Sequence, residues 1–346
     1  MEGQKAEEFA KEFYSRQVIM KELGEKGQRR LCKSKVAVVG VGGLGAVSSL
    51  YLSLAGVGYV RLIDQDTIEM QNLHRQILYT PADLHYPKAE VAARRLQELN
   101  PLVKTEAFTE NVNAGNVEKL LQDVDCVVDG LDNMVTRYVV NRACVKLRIP
   151  YVFGAAIGIE GNLSVFQPPQ TGCLECLMPN LSDNDLLTCS TRGVIGVTPG
   201  VIGALQAMET IKLLADIAPT LKGRLLVCDF RDMDFTTIEI SKSTRCPVCH
   251  GELSTVAGGE RLVWLCGRDT ANINPEKPLK LNLEEIYPAV KQQFNVRLKS
   301  SLALMFTYNN YEVSLFNGGR MLIKKVSSEQ EALRVYREIF NKLKVT

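Results

Sequence analysis

Two Cys-x-x-Cys pairs, Cys173 with Cys176 and Cys246 with Cys249, stand about 70 residues apart in a chain with ten cysteines. One pair alone is compatible with a redox dithiol. Two pairs supply the ligand set and spacing of a closed four-thiolate zinc site, which staples distant segments together rather than doing chemistry. His250, next to the second pair, is read as a bystander. Cys189 lies outside both pairs in the polar run Leu187-Thr188-Cys189-Ser190-Thr191-Arg192. The nearby cation could raise its thiolate fraction, so it is either a nucleophile or an incidental thiol. A second kind of chemistry is signalled by Gly40, Gly42, Gly43 and Gly45. In G-x-G-x-x-G spacing, glycines bring backbone N–H groups and a helix N-terminus up to phosphate. Asp64 follows at the separation expected of a ribose ligand. These features alone read as an adenine-nucleotide site, NAD or FAD before ATP. No P-loop consensus is present.

The elements that must position these residues form an alternating series. Lys35 to Val39 and Tyr59 to Ile63 are short, β-branched strands fit for a buried parallel sheet, with the glycine turn and a helix between them. Asn72-Leu73-His74-Arg75-Gln76 falls where a loop leaves the second strand, and Pro87-Lys88 opens a helix that stops at Asn100-Pro101. Lys88 beside a helix N-terminus is unfavourable without an anionic partner. Strands at Val103 to Phe108 and Asp125 to Gly130 follow, and the latter delivers Asp132 and Asn133 to the same sheet edge as Asp64. Tyr151 to Phe153 continues the series, Gly154 to Phe166 reads as antiparallel, and Leu225 to Phe230 with Thr236 to Ile240 as a hairpin. Cys32, Cys126, Cys144 and Cys228 sit in apolar contexts and read as core residues. The fold class is therefore α/β, a Rossmann-like mixed sheet with helices on both faces, stapled by zinc.

A Gly-, Ser- and Thr-rich run from Gly251 to Glu260 reads as a linker. It divides the chain into a nucleotide-binding domain, residues 1–254, and a small C-terminal α+β domain, residues 255–346. The tail reads strand (Leu262 to Cys266), helix (Leu283 to Phe294), four strands and a last helix (Ser328 to Leu343), the latter opened by a Ser328/Glu331 capping box. Over the whole chain, 41 basic and 39 acidic residues leave a net charge of +2, which argues against a dominant nucleic-acid or membrane role. No apolar run reaches transmembrane length and the first residues lack a signal-peptide core, so a cytoplasmic location is expected.

In this order the motifs resemble the ubiquitin-activating enzyme family in its ThiF/MoeB/HesA type. The likeness spans residues 10–252 and adds Tyr14-Ser15-Arg16-Gln17, Asp64-x-Asp66, Gly154-Ala155-Ala156 and the helix near Gln206 to Leu214. It implies adenylation by Mg-ATP of the Gly-Gly tail of a ubiquitin-like or sulfur-carrier protein. Asp64 would hold the ribose and Gly42 with its neighbours, Asp66, Gln76 and Asn133 would surround the nucleotide. Asn72, Arg75 and Lys88 would contact phosphates, Asp132 would organise Mg2+, and Arg16 would act in the partner subunit of a homodimer. Cys189 matches the thiol that in some members takes the acyl group, so a thioester step is expected after adenylation. The alternative is a sulfur-carrier adenylyltransferase of thiamine or molybdopterin synthesis, and the remote one an NAD-linked oxidoreductase. The tail resembles half of a TATA-binding-protein fold; by analogy with the recruiting C-terminal domain of larger family members, it is expected to recruit a conjugating-type enzyme or to cap a dimer more readily than to bind DNA.

Overall fold

The computed structural model describes residues 3–181, 192–251, 262–264, 269–275 and 279–344. Cys189 and Cys266 lie outside them, as does the 254/255 domain division. Strands β1 (Lys35–Val39), β2 (Tyr59–Ile63), β3 (Lys104–Phe108), β4 (Cys126–Asp129), β5 (Tyr151–Ile157), β6 (Glu160–Phe166), β7 (Arg224–Asp229) and β8 (Asp234–Glu239) form one eight-stranded sheet. Its order is β3-β2-β1-β4-β5-β6-β7-β8. The first five strands are parallel and the last three antiparallel, which is the expected mixed sheet.

The central strands are apolar throughout because both faces are covered. Along β1, Val36 and Val38 join one core, with Leu31, Ala46, Leu52, Val91, Leu96 and Ala207. Ala37 and Val39 join the other, with Leu121, Met134, Val140 and Phe153. Helices α3 (Gly24–Lys33), α4 (Gly43–Leu54) and α5 (Lys88–Leu99) cover the first face, after the short N-terminal α1 (Gly3–Phe13) and α2 (Ser15–Val18). Helices α6 (Val117–Leu121) and α7 (Met134–Leu147) cover the second, and the four-residue α8 (Leu174–Leu177) starts just after Cys173 and contains Cys176. Helix α9 (Val197–Ala215) packs along α4 on the first face. It begins well before the helix expected near Gln206 to Leu214, with Pro199 in its first turn, a position where proline is tolerated. Cys126, Cys144 and Cys228 are buried as expected, but Cys32 is exposed. Helix α3 turns Gly27, Gln28 and Leu31 inward, and a helical step of about 100° past Leu31 carries Cys32 off that face.

A second, six-stranded antiparallel sheet is built from β9 (Leu262–Trp264), β10 (Thr270–Ile273), β11 (Asn295–Lys299), β12 (Ala303–Tyr308), β13 (Tyr311–Phe316) and β14 (Met321–Lys324). Its order is β11-β12-β13-β14-β10-β9, so the strand predicted at Leu262 to Cys266 is an edge and the unpredicted β10 is the one paired to β14. Thr270–Ile273 is four residues long with a central asparagine, too short to show a period; its pairing to β14 makes it a strand. Helices α10 (Leu283–Gln293) and α11 (Glu329–Leu343) pack on one face of this sheet, through Val290, Val335 and Ile339 against Phe306, Val313 and Ile323. Ser328 caps α11 by accepting from the Glu331 N–H, while the Glu331 carboxylate turns to Ser327, so only half of the expected capping box forms.

Candidate active site

At the carboxyl ends of β1, β2 and β4 lies a cavity of 390 Å³. Helices α4, α5 and α7 all begin at this edge, so their N-terminal N–H groups and dipoles make it attractive to anions. Gly40, Gly42 and Gly43 line the cavity, and Gly45 does not. A Cβ on Gly45 would stand 1.9 Å from the Gly40 carbonyl oxygen, and one on Gly130 would stand 2.0 Å from it. The fourth glycine of the turn is thus required by the close crossing of helix and strand, and it makes no wall of the site. Gly40 itself has φ +85, a conformation that glycine adopts at little cost.

Asp64 closes the floor. One carboxylate oxygen accepts from the Val41 N–H and the other from the Asp66 N–H, each at 2.7 Å. Burial raises its pKa, against the pull of Lys88. Lys88 is 4% exposed and ion-pairs with Asp66 at 2.9 Å, which supplies the anionic partner its position requires. Burial alone would discharge the ammonium, but Asp66 and Asp64 outweigh it and raise its pKa above 10.5. Arg75 donates to the Asn72 side-chain oxygen at 2.8 Å. Asn72 and Gln76 line the same space, both buried, and the Asn72 Nδ2 and Gln76 Oε1 atoms have no hydrogen-bond partner. Two buried amide atoms without partners in a cavity wall are polar groups awaiting a polar ligand.

Opposite them, Asp132 is exposed to the cavity, and Asn133 donates to its carboxylate at 3.3 Å. The Asn133 side-chain oxygen caps α7 through the Thr136 N–H, so this residue sets the position of Asp132. Beneath them is a buried network that the sequence did not reveal. Arg137 donates to Asp129 at 3.0 Å, to the Leu131 carbonyl and to the Gly154 carbonyl, while Tyr151 donates to Asp129 at 2.7 Å. It fixes the turn that carries Asp132. Glu160 and Asn162 from β6 also line the cavity, without any local signal to announce them. Glu160 holds Arg192 at 2.6 Å, so the cation expected to act on Cys189 is engaged by a carboxylate. Arg16 is exposed on α2 and is not among the residues lining the cavity.

The four zinc-candidate sulfurs lie within 4.8 Å of one another. The Cys173–Cys246 and Cys176–Cys249 Sγ separations are 3.7 and 3.6 Å. A cation about 2.3 Å from four tetrahedrally placed sulfurs would set them about 3.8 Å apart, and a disulfide would bring a pair to about 2.0 Å. The residues fit a four-thiolate ion and do not form disulfides. Burial pushes the Cys173 thiol up to about 12, so its proton stays until a cation displaces it.

Fold and cavity together define a Rossmann-like α/β protein with a mixed sheet and an anion-attracting cleft at its strand ends. The ThiF family profile matches residues 14–248, and the chain belongs to that family. It is 43% identical over 245 residues to a Thermus thermophilus protein named sulfur carrier protein adenylyltransferase, covering 69% of this chain and 90% of the relative. It is also 43% identical over 237 residues to the Haloferax volcanii SAMP-activating enzyme E1, covering 68% and 87%. Other relatives are longer, and the match spans 54% of their length. Among solved structures, Escherichia coli MccB with ATP aligns with a TM-score of 0.59 at 25% identity, over 65% of this chain and 68% of that one. No described helix is long and apolar enough to cross a membrane.

Proposed function

We propose that this enzyme uses ATP to adenylate the C-terminal carboxylate of a sulfur-carrier protein. The observation that carries the reading is the convergence on one cavity of Lys88, Arg75, the partnerless Asn72 and Gln76 amide atoms, and Asp132. The Thermus relative's name supports the carrier, and the likeness to a structure solved with ATP supports the nucleotide. A carboxylate oxygen of the carrier tail forms a bond to the α-phosphorus, the bond to the β-phosphate bridge breaks, and pyrophosphate leaves with the electron pair. The carboxylate is a weak nucleophile, so the chain's contribution is to align it and to set positive charge against the phosphates. Lys88 and Arg75 supply that charge, Asp64 takes the ribose, and Asp66 keeps Lys88 in place. Asp132 offers a carboxylate to Mg2+, which when bound offsets phosphate charge.

The test is ATP–pyrophosphate exchange. Label should enter ATP only when a Gly-Gly-ended carrier and Mg2+ are both present; exchange with neither carrier nor any Gly-Gly tail, or tight binding of NAD in place of ATP, would remove the reading. Within it, Lys88→Met keeps the aliphatic stem and strips the charge, and should slow exchange by about 10²–10³-fold. Because the Lys88 pKa is raised, its charge persists through neutral and mildly alkaline pH and fails only above 10.5.

A second reading, activation of a protein modifier with thioester transfer to Cys189, is favoured by the Haloferax relative's name. It predicts a carrier conjugate on non-reducing gels that Cys189→Ala removes while exchange persists. Under either reading a homodimer is proposed. Exposed Ile19, Met20, Tyr51, Val197 and Met208 offer apolar side chains on and beside α2, α4 and α9 to a second copy, and Arg16 is exposed on α2.

A further inference from the structure

The face of the second sheet that α10 and α11 leave uncovered is nonetheless buried. Asn272, Ala303, Ser314, Phe316 and Leu322 are all 3% exposed or less. It meets the nucleotide-site side of the large sheet. Asn272 donates to the Gln65 side chain at 3.3 Å, Lys324 pairs with Glu69 at 2.7 Å, and Ser301 donates to Glu90. At the centre is Arg320, 4% exposed and stacked 3.7 Å over the Phe316 ring. Its guanidinium donates to the Gln65 carbonyl at 2.6 Å, the Thr109 carbonyl at 3.1 Å and the Asn272 side chain at 3.0 Å.

Those two carbonyls belong to the loops that build the cavity. Gln65 lies between Asp64 and Asp66, and Thr109 immediately precedes the lining residues Glu110 and Asn111. The Asp64–Asp66 segment is also tied at 3.0 Å from the Asp64 N–H to the Phe108 carbonyl and at 3.0 Å from the Lys88 N–H to the Asp66 carbonyl. Arg320 is therefore the side chain that grips this segment from behind, opposite the cavity, where its planar fork can hold both loops at once. Burial lowers its pKa to about 9, with Asp66 and Asp64 pulling the other way, so it remains charged at neutral pH.

We propose that Arg320 is a positioning residue for the nucleotide site, holding the loop of Asp64 and Asp66 in place, and that the C-terminal sheet is the outer wall of that site. This rests on the reading of the cavity as an ATP site. With full-length protein, Arg320→Gln should raise the KM for ATP in pyrophosphate exchange by about tenfold while kcat stays within about twofold. Arg320→Lys, which keeps the charge and can reach one carbonyl, should fall between. Ser301→Ala removes a docking contact distant from those carbonyls and should match the unchanged enzyme. An unaltered KM in Arg320→Gln, or an equal rise in Ser301→Ala, would overturn the proposal. Amide exchange without any ligand separates this from the nucleotide reading. A peptide covering 64–72 should exchange faster in Arg320→Gln while α11 peptides do not. If α11 also loosens, Arg320→Lys carries the comparison, and unchanged exchange at 64–72 there would refute the role. Failure of the intact enzyme to bind ATP would remove the function above and leave this amide-exchange result to decide the loop's support.

Discussion

Arg137→Met is expected to destabilise the enzyme by about 3–5 kcal/mol, because it leaves the Asp129 carboxylate buried without its cation. For a core of this size that is a fall in Tm of roughly 6–20 °C. Asp129 is fully buried and its remaining partners, the Tyr151 hydroxyl and the Leu131 N–H, cannot neutralise it. Burial already raises the Asp129 pKa, and Arg137 is the main influence holding it down. Without Arg137 the group binds its proton more tightly in the folded than in the unfolded state. Stability from such a group is complete below the unfolded pKa and is lost as pH rises through the folded one. The deficit relative to the parent should therefore be largest near neutral pH and shrink toward pH 5. A deficit that grows on acidification, or thermal melts that coincide at every pH, would contradict this account. Pyrophosphate exchange should also weaken, since Arg137 holds the Leu131 carbonyl in the turn carrying Asp132.

Loss of the thiolate site should be at least as damaging. The purified protein is expected to hold one zinc per chain, and Cys246→Ala or a strong chelator should lower its stability by about 5 kcal/mol or more, below the range for zinc-finger peptides because this fold also has large cores. The site joins α8 to the turn at Val248, both packed beside α7. Arg142 on α7 pairs with Glu175 between the first two cysteines at 2.9 Å, so the loosened segment would pull at the helix whose N-terminus presents Asp132. Metal content near zero in fully stable protein would sink the zinc assignment. Recovery of the melting temperature on adding Zn2+, and not on adding an oxidant, would separate it from a redox dithiol.

What could be read before folding was whatever rests on neighbours in the chain. The glycine turn, β1, β2, the cap at Ser328 and the paired cysteines all have short-range signatures. The mixed sheet follows from alternating strands and helices succeeded by antiparallel ones. What escaped depends on partners far away. Thr270–Ile273 is a strand because Met321–Lys324 pairs with it. Gly45 looks like a phosphate ligand in the motif, but the Gly40 carbonyl crossing it makes it a packing residue. Cys32 sits in an apolar context and yet one helical step off the inward face. The tail forms a small antiparallel α+β unit with one strand more than expected, and the sheet face that α10 and α11 leave uncovered is buried. Arg320 merely precedes a strand in the chain, and nothing near it names Gln65.

The span between Arg320 and Gln65 is 255 residues. A chain emerging from the ribosome at about 5–20 residues per second has its glycine turn, Asp64 and Lys88 in the open many seconds before the clamp is made. For that interval the pocket exists only as an unfinished outline, and any nascent chain that stalls short of β14 carries the cavity-lining side chains without Arg320 to hold their loop. Synthesis of the segment that carries Arg320 thus becomes the last step in assembling the walls of the cavity.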